Sequence, residues 1–306
     1  PLIDYLDGLK WDGVARLDNW LHYYANAEDT PLNEAIGKAF MVAAVRRARQ
    51  SGVRSEFILV LESPTQGTGK TSLLRTLAVR SDWYSDQELL HANAREQQEA
   101  LAGKWIYELA ELDGTRLGDV GRLKTFASRD SDRARPAYGR MSVEQPRRCI
   151  FVGTTNEGQY LRDTTGNRRF WPVQIGEVDL ALLRAERDQL WAEAVELEAS
   201  GYAANIPREL WGEAAQEQAA RLLQDPWDDD LMQLQGEERA GHAGYWLSHE
   251  ECWDAIAVTR DRRTGAQLQR LHARMRLFGW QQAPKNWKRK GKTVRGYVRG
   301  VTGETA

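Results

Sequence analysis

The stretch Phe57-Ile58-Leu59-Val60-Leu61-Glu62-Ser63-Pro64-Thr65-Gln66-Gly67-Thr68-Gly69-Lys70-Thr71-Ser72-Leu73-Leu74-Arg75 decides the fold. Its first five residues form a short unbroken apolar run, as a strand buried on both faces of a parallel sheet requires. Its last residues resume helical spacing. Between them lies a Gly-containing loop that ends in Gly69-Lys70-Thr71. In a strand–loop–helix setting the N–H groups of the loop and first helical turn point at an anion, and the helix dipole favours negative charge there. Gln66, Gly67, Thr68, Gly69, Lys70, Thr71 and Ser72 are therefore the expected phosphate-binding set of a nucleotide site. Lys70 would reach the β- and γ-phosphates, and the Thr71 hydroxyl would ligate Mg²⁺. One position departs from the G-x-x-x-x-G-K-[ST] pattern: Pro64 stands at its first Gly. It stiffens the start of the loop and leaves the phosphate-touching end intact. The strand and helix on either side disfavour a chance Gly-rich turn.

Two more apolar runs, Trp105-Ile106-Tyr107 and Cys149-Ile150-Phe151-Val152, each pass into polar residues. Strands alternating with helical stretches give an α/β core with a parallel sheet. The Trp105 run continues as Glu108-Leu109-Ala110-Glu111. A carboxylate at the end of a neighbouring strand can hold Mg²⁺, and an adjacent one can polarise the attacking water. Glu108 and Glu111 are the candidates, with Glu111 preferred as base; surface glutamates at a helix start are the plainer alternative. The third run ends in Gly153-Thr154-Thr155-Asn156, whose Asn156 amide could orient the water and sense the γ-phosphate. Arg168 and Arg169 follow in a turn. They are either solvated or act on the γ-phosphate of a neighbouring subunit, where such a finger is worth about 10³–10⁵ in rate.

Residues 1–54 read as a helical front, 55–176 as the core, 177–240 as an acidic helical extension with a linker, and 241–306 as a basic module. Glu177 to Asp230 carries fourteen acids and four Lys/Arg, a net of −10. Gly236 to Gly244 reads as a flexible linker. Helices from Ser248 and over Thr264–Phe278, then short strands near Trp280 and Thr293–Val301, follow the order of a winged-helix module. Arg260 to Arg299 holds thirteen Lys/Arg and one acid, a net of +12, so the chain's overall −2 conceals segregation. Arg262, Arg263, Arg270 and Arg274 precede or enter the second helix. Lys285, Lys288, Arg289, Lys290, Lys292 and Arg295 sit on or near the wing, interleaved with Trp280, Trp287 and Tyr297. That is the footprint of a phosphate-backbone binder; a basic face docked on the chain's own acidic helices is the alternative. Between the second and third strands, Lys124, Arg129, Arg133, Arg135, Arg140, Arg147 and Arg148 surround Tyr138, a composition suited to single-strand tracking. A solvated loop, or Arg135 and Arg140 paired with Asp130 and Asp132, is the alternative there. Two cysteines are too few for a disulfide framework, and five scattered histidines offer no zinc pattern. The longest apolar run, about Ala39 to Val45, falls far short of the ~20 residues of a membrane span. The chain opens at Pro1 in place of Met, so a further upstream domain is expected.

Taken in order, several motifs resemble the virulence-associated E family of phages and mobile elements. They are Gln66–Thr71, Trp105–Leu112, Asp132–Arg140, Thr154-Thr155-Asn156 and Gly166-Asn167-Arg168-Arg169-Phe170-Trp171-Pro172, with Trp11-Asp12-Gly13 and Asp225-Pro226-Trp227 also fitting. That family is similar to superfamily 3 helicases, a branch of AAA+ ATPases. The resemblance covers roughly residues 1–235. Ala137 is inserted where relatives run Arg-x-Pro-Tyr-Gly, which bears on the shape of a hairpin there. The resemblance implies an AAA+-like P-loop core and a ring, expected to be hexameric, with ATP and Mg²⁺ between subunits and DNA in the pore. Lys70 and Thr71 would act in one subunit and Arg168 or Arg169 from the next, with Asn156 as sensor. Lys124, Arg135, Tyr138 and Arg140 would grip DNA; a primase is the expected upstream domain and the bacterial cytoplasm the expected location. The leading expectation is an ATP-driven DNA helicase or translocase. A DNA-binding ATPase switch that does not unwind comes second. A metabolic kinase is disfavoured, because no substrate domain is evident and the basic tail would be idle.

Overall fold

The computed structural model describes residues 1–110, 112, 117–135, 141–161, 166–239, 242–289 and 291–300. Glu111, Tyr138, Arg140 and Lys290 lie outside the described residues. Contacts divide the chain into two units, Pro1–Leu222 and Leu223–Ala306.

The first unit begins with α1 (Leu2–Gly8), α2 (Trp20–Ala25) and α3 (Pro31–Arg49). Thr30 caps α3 by accepting from the Asn33 amide, and Pro31 fits the first turn, where no N–H is needed. Then come β1 (Ile58–Glu62), α4 (Lys70–Leu77), β2 (Tyr84–Ser85), α5 (Ala94–Leu101), β3 (Ile106–Leu109) and α6 (Leu117–Ala127). They are followed by β4 (Ser131–Ala134), β5 (Val143–Pro146), β6 (Ile150–Thr155), β7 (Phe170–Gln174), α7 (Leu180–Ala199) and α8 (Trp211–Ala220).

Five strands make a parallel sheet in the order β2-β3-β6-β1-β7. The apolar run of β1 is continuous because both of its faces are covered. Leu59 and Leu61 enter one core with α1–α3, α4 and α7, while Ile58 and Val60 enter another with α5 and α6. That is the period of two of an extended strand. Each such side chain contributes about 1.5–3 kcal/mol on burial. The front helices, read as a unit of their own, thus share a core with the sheet. Within it the Trp105 indole donates to the Ala44 carbonyl at 2.9 Å and the Trp191 indole to the Leu77 carbonyl at 2.9 Å. β4 and β5 pair as an antiparallel hairpin where the basic segment was expected to form one.

The second unit holds α9 (Asp228–Met232), β8 (Glu237–Arg239), β9 (His242–Ser248), α10 (His249–Ala255) and α11 (Gly265–Leu277). It ends in β10 (Gln281–Gln282), β11 (Trp287–Arg289), β12 (Lys292–Val294) and β13 (Gly296–Arg299). Its sheet runs β10-β13-β9-β8, with β11–β12 a separate hairpin. The expected helices are present, each opened by a capping box, Ser248 with Glu251 and Thr264 with Gln267. The expected linker is corrected: β8 and β9 pair across Gly236–Gly244, and β9 continues into the sheet against β13. Asp225 and α9, read as acidic extension, belong to this unit. Arg270 pairs with Asp225 at 2.6 Å, and buried Arg274 pairs with Asp228. Two cations assigned to a phosphate-binding face are thereby neutralised, Arg274 inside the fold and Arg270 with its side chain 38% exposed. No helix among the described residues is long and apolar enough to cross a membrane.

Candidate nucleotide site

Gly67 and Gly69 hold left-handed backbone at φ +80° and +97°, and α4 starts at Lys70 directly behind them. The loop is fastened by neighbours that do not face its cleft. The Val178 amide donates to the Thr68 carbonyl at 3.0 Å, and a Cβ on Gly69 would lie 3.1 Å from the Val178 Cβ. Parallel register brings the C-terminal ends of β1, β3 and β6 together, so the residues after each face one cleft. It measures about 480 Å³ and is lined by Gln66 to Ser72, Glu108, Ala110 and Thr154 to Asn156. Glu108 is 2% exposed, so it is not the surface glutamate of the plainer alternative.

Lys70 Nζ donates to Asn156 Oδ1 at 2.7 Å. The Thr71 and Thr154 hydroxyls donate to Glu108 Oε1 at 2.9 and 2.8 Å, and the Tyr84 hydroxyl donates to Oε2. Burial, and then the carboxylate it serves, push the Tyr84 phenol well above its ordinary range. The Arg75 guanidinium lies 4.9 Å over the Tyr84 ring and pairs with Asp86 at 3.0 Å. Tyr84 escaped the sequence reading because edge strand β2 is only two residues long and carries no motif.

The residues fit a nucleoside triphosphate and its cation. Two loop glycines and the start of α4 offer backbone N–H groups, Lys70 a positive charge, and Thr71 beside Glu108 a hard-oxygen pair. Thr68 Oγ1 is buried in the loop without a partner.

The other expected residues lie elsewhere. Phe170 pairs with Ile58 and Gln174 with Glu62, so Arg168 and Arg169 stand at the end of the sheet opposite the loop. Four strand steps, about 13 Å, separate them from it at the least, so neither reaches its own cleft. Arg168 is exposed, whereas Arg169 Nε donates to Ser128 Oγ at 3.0 Å. Lys124, expected to grip DNA, is 6% exposed and donates to Asn167 Oδ1 at 3.0 Å; its ammonium serves the packing of α6 against the turn before β7. Arg147, another cation of that segment, is buried against Asp132 at 2.5 Å. Arg135, Lys288 and Arg295 are exposed, and Arg289 and Lys292 are backbone register partners in the β11–β12 hairpin.

The virulence-associated protein E-like domain matches residues 6–223, more than half of the chain. The chain belongs to that family. Three structures of the NrS-1 C-terminal region, two of them its A form, are similar to this family member in fold. Their TM-scores are 0.51, 0.54 and 0.52 at 15%, 13% and 16% identity, each covering 96% of this chain and 78% of the other. No curated protein matches it.

Proposed function

We propose that this virulence-associated E-like protein is a Mg²⁺-dependent ATPase that drives DNA translocation or unwinding in the replication of a phage or mobile element. One observation carries the reading: Lys70, Thr71, Glu108 and Asn156, from a loop and two strand ends, converge on one cleft at the start of a helix. ATP supplies a phosphoanhydride bond whose hydrolysis releases free energy. Gln66 to Ser72 bind its phosphates, Thr71 and Glu108 hold the metal ion, and Asn156 orients water, with Glu111 the proposed base. Because Arg168 is exposed and far from its own cleft while Arg169 is engaged by Ser128, Arg168 is the better finger toward a second copy in a ring, taken as hexameric. The β4–β5 hairpin with Arg135, Tyr138 and Arg140 is the proposed grip on DNA. The basic β11–β12 hairpin, with Lys288, Arg289, Lys290 and Lys292, and Arg295 beyond it supply backbone contacts in a winged-helix-like unit. The family match and the resemblance of the motifs to superfamily 3 support the mobile-element setting.

The test is ATP hydrolysis with and without single-stranded DNA, together with displacement of a labelled strand from a fork. Expected are DNA-stimulated hydrolysis, unwinding, and loss of both in Lys70→Ala. Lys288→Glu should weaken DNA binding and lower its salt slope by about 1. Hydrolysis without unwinding would favour the second reading, a DNA-bound ATPase switch. Full ATPase activity in Lys70→Ala would overturn both.

A further inference from the structure

Behind the cleft lies a buried ionic knot that the proposed reaction does not use. Glu62, the last residue of β1 and the one before the phosphate loop, is 5% exposed. Arg221 grips its carboxylate with two nitrogens, Nη2 at 2.9 Å from Oε2 and Nε at 3.1 Å from both oxygens. The Tyr160 hydroxyl donates to Oε1 at 2.6 Å. The third guanidinium nitrogen, Nη1, donates to the Glu217 carboxylate and carbonyl. Burial would lower the Arg221 pKa, but Glu62 and then Glu217 together offset it and the net shift is upward. Burial, and then Glu62, hold the Tyr160 phenol far above its usual range.

The backbone joins the same knot. The Arg221 carbonyl accepts from the Tyr160 amide at 3.1 Å and the Leu161 amide at 2.9 Å, and Leu161 bridges Leu222 in parallel. Tyr160 lies four residues beyond Asn156, which holds Lys70. One arginine therefore grips both edges of the cleft, the start of the phosphate loop through Glu62 and the segment after Asn156 through its own carbonyl. A buried ion pair adds little stability over an apolar trio of equal volume. What it adds is a fixed geometry, since all three guanidinium nitrogens and the carbonyl are committed.

We propose that Arg221 is a positioning residue of the nucleotide site, setting Asn156 against the phosphate loop through Glu62 and Tyr160. The inference rests on the nucleotide reading above and predicts a particular kinetic signature. The loop keeps its own fastening through Val178, so phosphate binding survives when the knot is loosened, whereas the placement of Asn156 does not.

The test measures ATP hydrolysis and binding of a fluorescent ATP analogue by the full chain and by Arg221→Lys and Tyr160→Phe. Arg221→Lys keeps the charge but loses the two-nitrogen grip; Tyr160→Phe removes one hydroxyl and keeps the ring. The expected result is a kcat reduced about 30-fold in Arg221→Lys and about 5-fold in Tyr160→Phe, with KM and analogue affinity within about 3-fold of the parent. Should Arg221→Lys fail to fold, Tyr160→Phe decides by the same split. A folded variant with unchanged kcat, or one whose loss lies wholly in KM and affinity, overturns the positioning role. Failure of the parent chain to bind the analogue would instead overturn the nucleotide reading itself.

Discussion

Two glycines of the same loop pose a paired test. Gly67 and Gly69 both have positive φ, +80° and +97°, so alanine at either forces an L side chain into left-handed backbone, at about 1–2 kcal/mol. Their surroundings differ. A Cβ on Gly67 meets nothing within 4 Å, whereas one on Gly69 lies 3.1 Å from Val178 Cβ and 3.4 Å from Cγ2. Val178 cannot easily retreat, because it is 9% exposed and its amide is bonded to Thr68. Crowding of that kind adds about 1–3 kcal/mol. Gly67→Ala should therefore cost about 1.5 kcal/mol and Gly69→Ala about 3 kcal/mol. For a unit of this size those values correspond to falls in Tm of about 5 °C and about 9 °C. Differential scanning calorimetry of the two variants beside the parent reads the difference directly. If Gly67→Ala proves equal to or worse than Gly69→Ala, the account of the loop as braced from behind by Val178 is refuted.

Two other expectations concern the second unit. Arg274→Met strands the Asp228 carboxylate in a site where the two side chains are 9% and 10% exposed, and should destabilise the unit by about 3–5 kcal/mol. Adding Asp228→Asn should recover most of the loss in urea unfolding followed by tryptophan fluorescence; a loss below about 1 kcal/mol in the single variant would contradict the pairing. His249 packs against the rings of His272 and Tyr297, its Nε2 is buried without a partner, and burial, then His272 and Arg295, lower its pKa to about 4. The unfolded chain takes up that proton below about pH 6.5 and the folded one only near pH 4. Stability should therefore fall as pH drops through that window, by about 1–2 kcal/mol after solvent screening. A pH–Tm profile of His249→Gln should be flatter; an identical slope would show that other groups govern it.

What the sequence disclosed and what it hid divide by range. The loop Gln66–Ser72, the three buried runs and the carboxylate at a strand tip are local patterns. Each is dictated by chain geometry, and each lies where its pattern puts it. Glu62, Tyr160 and Arg221 are up to 159 positions apart, and nothing local distinguishes them from surface residues. Lys124 and Arg147 misled for the reciprocal reason, since a cation reads as exposed until the acceptor that buries it is known. Buried Arg274 follows the same rule, and half-buried Arg270 is likewise paired: their acids, Asp228 and Asp225, lie some 45 residues upstream, in a stretch whose negative charge suggested a separate element. Gly236–Gly244 has linker composition, yet Glu237, Glu238 and Arg239 find register partners in Trp246, Tyr245 and His242 of β9, so the stretch is drawn into the sheet.

The placement of β1 between β6 and β7 in the sheet has a consequence for synthesis. Its two neighbours, β6 and β7, are far later in the chain: Leu59 pairs with Val152 and Ile58 with Phe170. At a ribosomal pace of about 5–20 residues per second, roughly 5–20 s pass between the birth of β1 and that of its first neighbour. Throughout that interval Ile58, Leu59, Val60 and Leu61 form a nascent strand with two unsatisfied edges, a template for wrong pairing. A message truncated between the codons for Ala110 and Ile150 would release a chain with that strand and without its partners, destined for aggregates or proteolysis. Slow codons across the intervening segment should lower soluble yield without altering a single contact of the finished protein.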